Sequence, residues 1–287
     1  MLEHVVNGLV LGGTYALVAM GLTIQYGIAR IMNLGFGDTI IAACFATFVL
    51  FTTLSINPTV ALLILVPAGY LISDVIYRVI MKPLVARAPD EGALEVDSIL
   101  VTFGLLFVIQ GVLLTLFGGG YTSYTFLNTP VNVLGSVVAA NRLLAFVLSL
   151  VIGGVLVVVL FRTRWGMILR AVALAPKSAP LFGIDTDRAA RTAFAIGGAM
   201  AATGGVVVSM FQTFTATAGV VFTMKALIVV ILGGKGSVPG AVVAGLLLGL
   251  VETFVAAYID PGLTLAAVYT VFLALLLVRP NGIFGKA

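Results

Sequence analysis

Apolar runs of roughly twenty residues recur along this chain with only short polar breaks between them, and that spacing rules out a water-soluble globule. About 20 apolar residues match the ~30 Å hydrocarbon core of a bilayer. Only 9% of the 287 residues are charged, while 61% are hydrophobic. A soluble domain carries about 25% charged residues, so this chain needs lipid around it. The expected fold is an all-α membrane protein. It reads as a single polytopic helical bundle over residues 1–287, with about eight or nine transmembrane segments.

The runs lie at about 5–28, 39–54, 59–80, 98–117, 143–160, 189–211, 241–258 and 263–278. Only Met1 to His4 precede the first, with no basic n-region, so it is expected to stay as a span rather than be cleaved. The piece at 224–232 is apolar but too short to cross, which leaves the number of segments at eight or nine. Small residues recur at helical spacing: Gly8, Gly12 and Ala16; Gly197, Ala201 and Gly205; Gly245 and Gly249. Such faces let helices approach closely in lipid. Asp185, Thr186 and Asp187 read as the start of the sixth span, with an N-cap and first-turn acids.

The charges are unevenly placed. Alternating segments put Arg30, Arg78, Lys82, Arg87, six residues between Arg162 and Arg191, Lys235, Arg279 and Lys286 on one side, thirteen of the fifteen Lys and Arg. Arg142 and Lys225 fall on the other, Lys225 near the interface where snorkelling would serve it. The positive-inside rule makes the rich side cytoplasmic. The N-terminus is then outside and the C-terminus inside. The stretch 81–97 reads as an aqueous loop on the inner side, and 118–141 as an uncharged loop on the outer side.

Arg162 to Arg191 is the most basic interruption of the apolar sequence. Two readings stand: a loop that only fixes topology, or a surface for a soluble partner. The second is suggested by Met167, Ile168, Leu169, Ala171, Val172, Leu174, Leu181, Phe182 and Gly183, which charge places in water, with Arg164, Arg170 and Lys177 as a basic rim. A short helical element between Trp165 and Ile184 is expected there. The net charge of +4 comes from such loops, and no basic stripe with interleaved aromatics suggests nucleic acid. One cysteine (Cys44) and one histidine (His4) exclude an internal disulfide and leave too few ligands for the usual metal sites. No cofactor is expected.

Two glycine-rich breaks interrupt the bundle. Gly233-Gly234-Lys235-Gly236-Ser237 resembles a phosphate loop only superficially, because Lys235 is followed by Gly236 rather than Ser or Thr. It reads either as a tight turn or as unwound backbone between half-helices, which is tolerated at membrane depth where it lines a cavity. Asn33-Leu34-Gly35-Phe36-Gly37-Asp38 is similar. Overlaying Gly35 and Gly37 on Gly234 and Gly236 suggests an internal repeat with a break in each half. Glu252 lies inside a span on the Gly245–Gly249 face, as a polar group lining a route or as half of a buried ion pair. Asn33, Gly35, Gly37, Asp38, Gly233, Gly234, Lys235, Gly236, Ser237 and Glu252 are therefore the candidate pathway residues.

Several stretches in matching order resemble a known family. These are Leu181 to Arg188, Ala199 to Ala202, Leu232 to Ala241 and Arg279 to Gly285, with Asn7 to Leu9, Tyr15 to Leu17 and Gly21 to Thr23. Together they resemble the integral membrane permease of branched-chain amino acid ABC transporters, the LivH type. The family often has Ala-His-Gly-Glu where this chain has Gly35-Phe36-Gly37-Asp38. Ala175-Pro176-Lys177 and Pro180 stand where a more charged, more helical run is usual. The resemblance implies an importer of the bacterial inner membrane. A second permease subunit, two cytoplasmic ATPase subunits and a periplasmic solute-binding protein would be its partners. It also implies that the segment 162–191 docks the ATPase. A stand-alone secondary transporter or channel is the competing class, and an enzyme is not expected.

Overall fold

The computed structural model describes residues 2–133, 136–176 and 178–284, and they form eleven α-helices. α1 (Leu2–Ile24) ends in a π-turn, Gln25–Ala29, and α2 spans Phe36–Leu54. α3 (Pro58–Ile76) runs through a π-turn, Tyr77–Met81, into α4 (Lys82–Arg87). α5 (Glu91–Phe117), α6 (Ala140–Arg162), α7 (Arg164–Leu174) and α8 (Thr186–Ser209) follow. The chain closes with α9 (Gly219–Gly233), α10 (Val238–Tyr258) and α11 (Thr264–Val278). Eight helices are long and apolar enough to cross a membrane, and α9, at 15 residues, is the shorter ninth. At about 1.5 Å per residue α9 reaches only some 22 Å, short of the ~30 Å core.

Close backbone packing organises the centre. Gly8, Gly12 and Ala16 of α1 meet Gly245 and Gly249 of α10, as the small-residue pattern predicts. A Cβ on Gly12 would lie 2.7 Å from the Leu246 Cα, and one on Gly249 would overlap the Gly12 backbone. α8 lies beside them and is almost wholly buried. Gly205 faces α2 at Ile40 and Ala43, Gly198 faces α3 at Gly69 and Ser73, and Gly197 faces Gln25. Lipid tails are as apolar as leucine, so only such close contact favours helix over lipid. α5 and α11 keep most of their apolar surface outward, as lipid-facing helices do.

The helix starts follow their caps. Asp185 accepts from the Arg188 N–H at 3.0 Å, as expected for α8, and Asp90, Thr163 and Ser237 cap α5, α7 and α10 in the same way. Two loop readings are corrected. Most of 81–97 is helical: α3 and α4 continue to Arg87 and α5 begins at Glu91. The prolines there sit at helix starts or breaks, and a helical stretch of 30 residues, Pro58–Arg87, overruns the bilayer core and carries its charges beyond it. The loop 118–141 holds a short antiparallel hairpin, β1 (Pro130–Val133) with β2 (Ser136–Ala139), in which Val131 faces Val138.

At the basic end α3 and α8 are clamped by charge. Asp74 pairs with Arg191 through both oxygens and with Arg78 at 2.6 Å, and Asp187 pairs with Lys82 at 2.8 Å. Gly249→Val should therefore cost at least about 3 kcal/mol of overpacking and strain and abolish recovery of monodisperse protein by size exclusion. Gly154→Val, where nothing lies within 4 Å, should be recovered as wild type.

Candidate functional site

The candidate pathway residues fall in three places rather than one. The first is the break after α1. Arg30 takes a left-handed conformation (φ 56°) and ends the π-turn. Residues 31–35 are then non-helical beside α5 and end in a turn at Leu34 and Gly35. Ser98 Oγ accepts from the Met32 N–H at 3.1 Å, and Thr102 Oγ1 from the Leu34 N–H at 3.0 Å. Hydroxyls one helical turn apart thus take the place of water for unwound backbone. Gly35 lies against Thr102 and Leu106, near the midpoint of α5, so α2 begins at membrane depth.

There α2 meets the start of α9. The Gly37 N–H donates to Thr223 Oγ1 at 2.8 Å. A Cβ on Gly37 would lie 2.7 Å from the Thr223 nitrogen, and one on Gly219 would lie 2.8 Å from the Asp38 Cα. Two helix N-termini thus converge on Asp38, whose side chain is fully buried. Both its carboxylate oxygens lack a hydrogen-bond partner, as does Asn33 Oδ1. The positive ends of the two helices are what the carboxylate faces. Asn33 Nδ2 donates to Gln25 Oε1 at 3.3 Å. α9 is reached from the opposite end of the bundle, through residues 210–218, where Phe214 bridges to Thr122 and Met210 accepts from Asn141 Nδ2. Gly219 is not among the candidate residues; it falls in the uncharged stretch 213–223, which reads as a turn.

The second place is the break between α9 and α10. Gly234 (φ 98°), Lys235 and Gly236 (φ 77°) are non-helical, and Ser237 caps α10 by accepting from the Gly240 N–H at 3.2 Å. Gly233 and Gly240 touch backbone to backbone. The C-terminal motif folds onto this break. Gly282 packs on Gly234, and Ile283 and Phe284 donate to the carbonyls of Leu232 (2.7 Å) and Gly233 (3.3 Å). A Cβ on Gly27 would lie 2.7 Å from the Gly236 Cα, so this break abuts the π-turn that leads to the first. The Lys235 ammonium stands 5.6 Å from the centre of the Tyr26 ring, and the Tyr26 hydroxyl donates to Glu95 at 3.1 Å. Contact with that hydroxyl holds Lys235 above the ordinary lysine range, so it stays charged. The overlay of Gly35 on Gly234 pairs a helix N-cap with a helix C-cap, so the two breaks differ in backbone.

The third place is Glu252. Lys225 Nζ lies 2.7 Å and 3.0 Å from its two oxygens, and the Tyr15 hydroxyl donates to it at 2.8 Å. Both charged side chains are mostly buried, so Lys225 is one side of an ion pair inside the bundle and does not snorkel. This ties α1, α9 and α10 together and gives both Glu252 oxygens a donor.

The basic segment divides as well. α7 and the 3₁₀ turn Ala179–Phe182 are the expected short element, closed by Gly183 in the left-handed region (φ 73°). Leu181 and Phe182 are 85% and 81% exposed, and Leu174 is 71% exposed. Leu169 and Val172 instead pack inward. Arg164 is exposed, while Arg170 turns back over the Phe161 ring at 4.9 Å. Lys177 lies outside the described residues.

The chain has known relatives in sequence. Residues 4–279 match the family described as the permease component of the branched-chain amino acid transport system. The chain belongs to that family. It is 29% identical to the high-affinity branched-chain amino acid transport system permease protein LivH of Escherichia coli (strain K12), over 99% of this chain and 96% of that protein. The corresponding permease protein BraD of Pseudomonas aeruginosa is 28% identical over the same shares. A probable LivH of Methanocaldococcus jannaschii is 25% identical over 94% of this chain and 88% of that one. No solved structure matches.

The Lys225–Glu252 pair generates a double-mutant test. Glu252→Leu alone strands a buried ammonium and should cost about 3–5 kcal/mol. Glu252→Leu with Lys225→Met should recover most of that loss, read as the thermal midpoint of the purified protein.

Proposed function

We propose that this permease carries branched-chain amino acids, or a related small polar solute, inward across the bacterial inner membrane as a subunit of an ABC importer. Separate cytoplasmic ATPase subunits would drive it, a second permease subunit would complete the route, and a periplasmic binding protein would deliver solute. The basic end is then cytoplasmic and the N-terminus is outside, as the charge asymmetry favours.

The observation that carries the coupling role is the tip of the basic segment. Leu181 and Phe182 project from a 3₁₀ turn, closed by Gly183 and seated through buried Ala179, into what charge makes an aqueous phase. An exposed apolar pair so placed suits a partner's cleft. The pathway role rests on the break at membrane depth and on Asp38. An ionisable group held there without a partner is expensive and points to function. A stand-alone secondary transporter is less well supported, since the matched family is the permease component of a transport system.

Two outcomes are expected. Leu181→Asp with Phe182→Asp should leave insertion and folding intact but abolish co-purification of the ATPase together with transport. Unchanged ATPase affinity would reduce the segment to a topology anchor. In a Cys44-free background, an impermeant thiol reagent should label a cysteine at Ser123 but not at Ser178 in intact cells. Labelling at Ser178 would reverse the orientation.

A further inference from the structure

A cavity of about 540 Å³ opens at the basic end between the last turns of α6 and α7, the break before α10 and the segment after α11. Its chemistry is two-sided. Arg170 and Lys235 supply two cations, and no carboxylate lines it among the described residues. Ser237 and Val238 bring the positive end of α10 to the same space. Both cations are held in place, Arg170 over the Phe161 ring and Lys235 over the Tyr26 ring. Glu95, the nearest acid, lines an adjoining cavity that shares Arg170 and Lys235, and it engages the Tyr26 hydroxyl.

The remaining wall is mostly apolar, with Leu160, Phe161, Leu174 and Phe284, and carries one amide, Asn281. It is continuous with the outward faces of α6 and α11, where Val158, Leu277 and Val278 are 57%, 87% and 81% exposed. A small free anion has no use for such a wall. An acidic peptide has little, and the exposed apolar tip at Leu181 and Phe182 offers a partner protein a separate seat.

We propose that this cavity holds the headgroup of an anionic phospholipid, with its phosphate between Arg170 and Lys235 and its acyl chains along α6 and α11. Basic pockets between helices at the membrane surface suit such headgroups. The bound lipid bridges α7, which carries the docking tip, and the break at Lys235 and Gly236. Placing it in the cytoplasmic leaflet rests on the orientation proposed above, whereas the binding itself does not.

Native mass spectrometry of the full-length purified protein tests this independently of orientation. With equal phosphatidylglycerol and phosphatidylcholine present, the protein should retain phosphatidylglycerol selectively. Arg170→Gln with Lys235→Gln should lower that retention about tenfold or more. Arg162→Gln with Arg164→Gln, which removes as much charge nearby, should not. The charge-conserving pair Arg170→Lys and Lys235→Arg should keep the lipid, which separates loss of charge from misfolding. Equal retention of phosphatidylcholine, or no effect of the first pair, overturns the proposal. Displacement of the lipid by millimolar inorganic phosphate marks a small-anion site instead and also overturns it. So does loss of the lipid when the ATPase is bound to wild-type permease, since an acidic partner segment would then own the cavity.

Discussion

Every backbone N–H and C=O inside a bilayer must find a partner without water, and this fold depends on how it meets that demand where its helices break. At residues 31–35 the partners are hydroxyls, Ser98 and Thr102 on α5 and Thr223 on α9. At the end of α9 the partner is the chain's own C-terminal segment, which donates to the carbonyls of Leu232 and Gly233. Each break is supported by a distant part of the sequence. That support is why irregular backbone can persist at membrane depth, and why α2 can begin there beside the start of α9.

Close packing and paired charge hold the rest. The α1–α10 contact has glycine on both sides, so the two backbones approach without side chains between them. Glu252, Lys225 and Tyr15 lie across the same helices and satisfy one another. At the basic end Asp74 and Asp187 tie α3 and α4 to α8. Buried pairs of this kind add little net stability, but losing one partner is costly. They therefore act more as register pins than as glue. Asp38 is the exception, with no such partner within the described residues.

The spans, the small-residue faces, the cap at Asp185 and the two breaks were legible because each is written in local spacing. The failures share a physical cause. Charges at 81–97 suggested a loop, but a helix longer than the bilayer carries charge on its protruding turns. The Lys225–Glu252 pair joins two helices, and neither its distance nor its geometry is encoded near either residue. Gly219 looked like turn sequence, although its small size serves the approach of α9 to Asp38. The ten candidate pathway residues lie in three places, because membership of a break says nothing of where the break lies. Arg170 shows the same limit, because a basic residue in an aqueous segment can still turn back onto the bundle.

The positions of α7 and the π-turn would give the proposed docking tip a short route into the membrane. α7 is seated rather than draped: Leu169 and Val172 pack inward, and Gly166 lies against the Leu160 backbone, which leaves no room for a side chain. On its inner side α7 packs against Gln25–Ala29. A single π-turn inside a helix is a costly irregularity that recurs at functional positions. Here it touches Gly236 through Gly27 and leads through Arg30 into the non-helical segment 31–35. A shift of α7 imposed at Leu181 and Phe182 by a docked partner would therefore bear first on the π-turn. From there it would reach both breaks, one by backbone contact and the other by continuity of chain. The charge-paired helices α3 and α8 offer a fixed frame for such movement, because Asp74 and Asp187 hold them together at the same end.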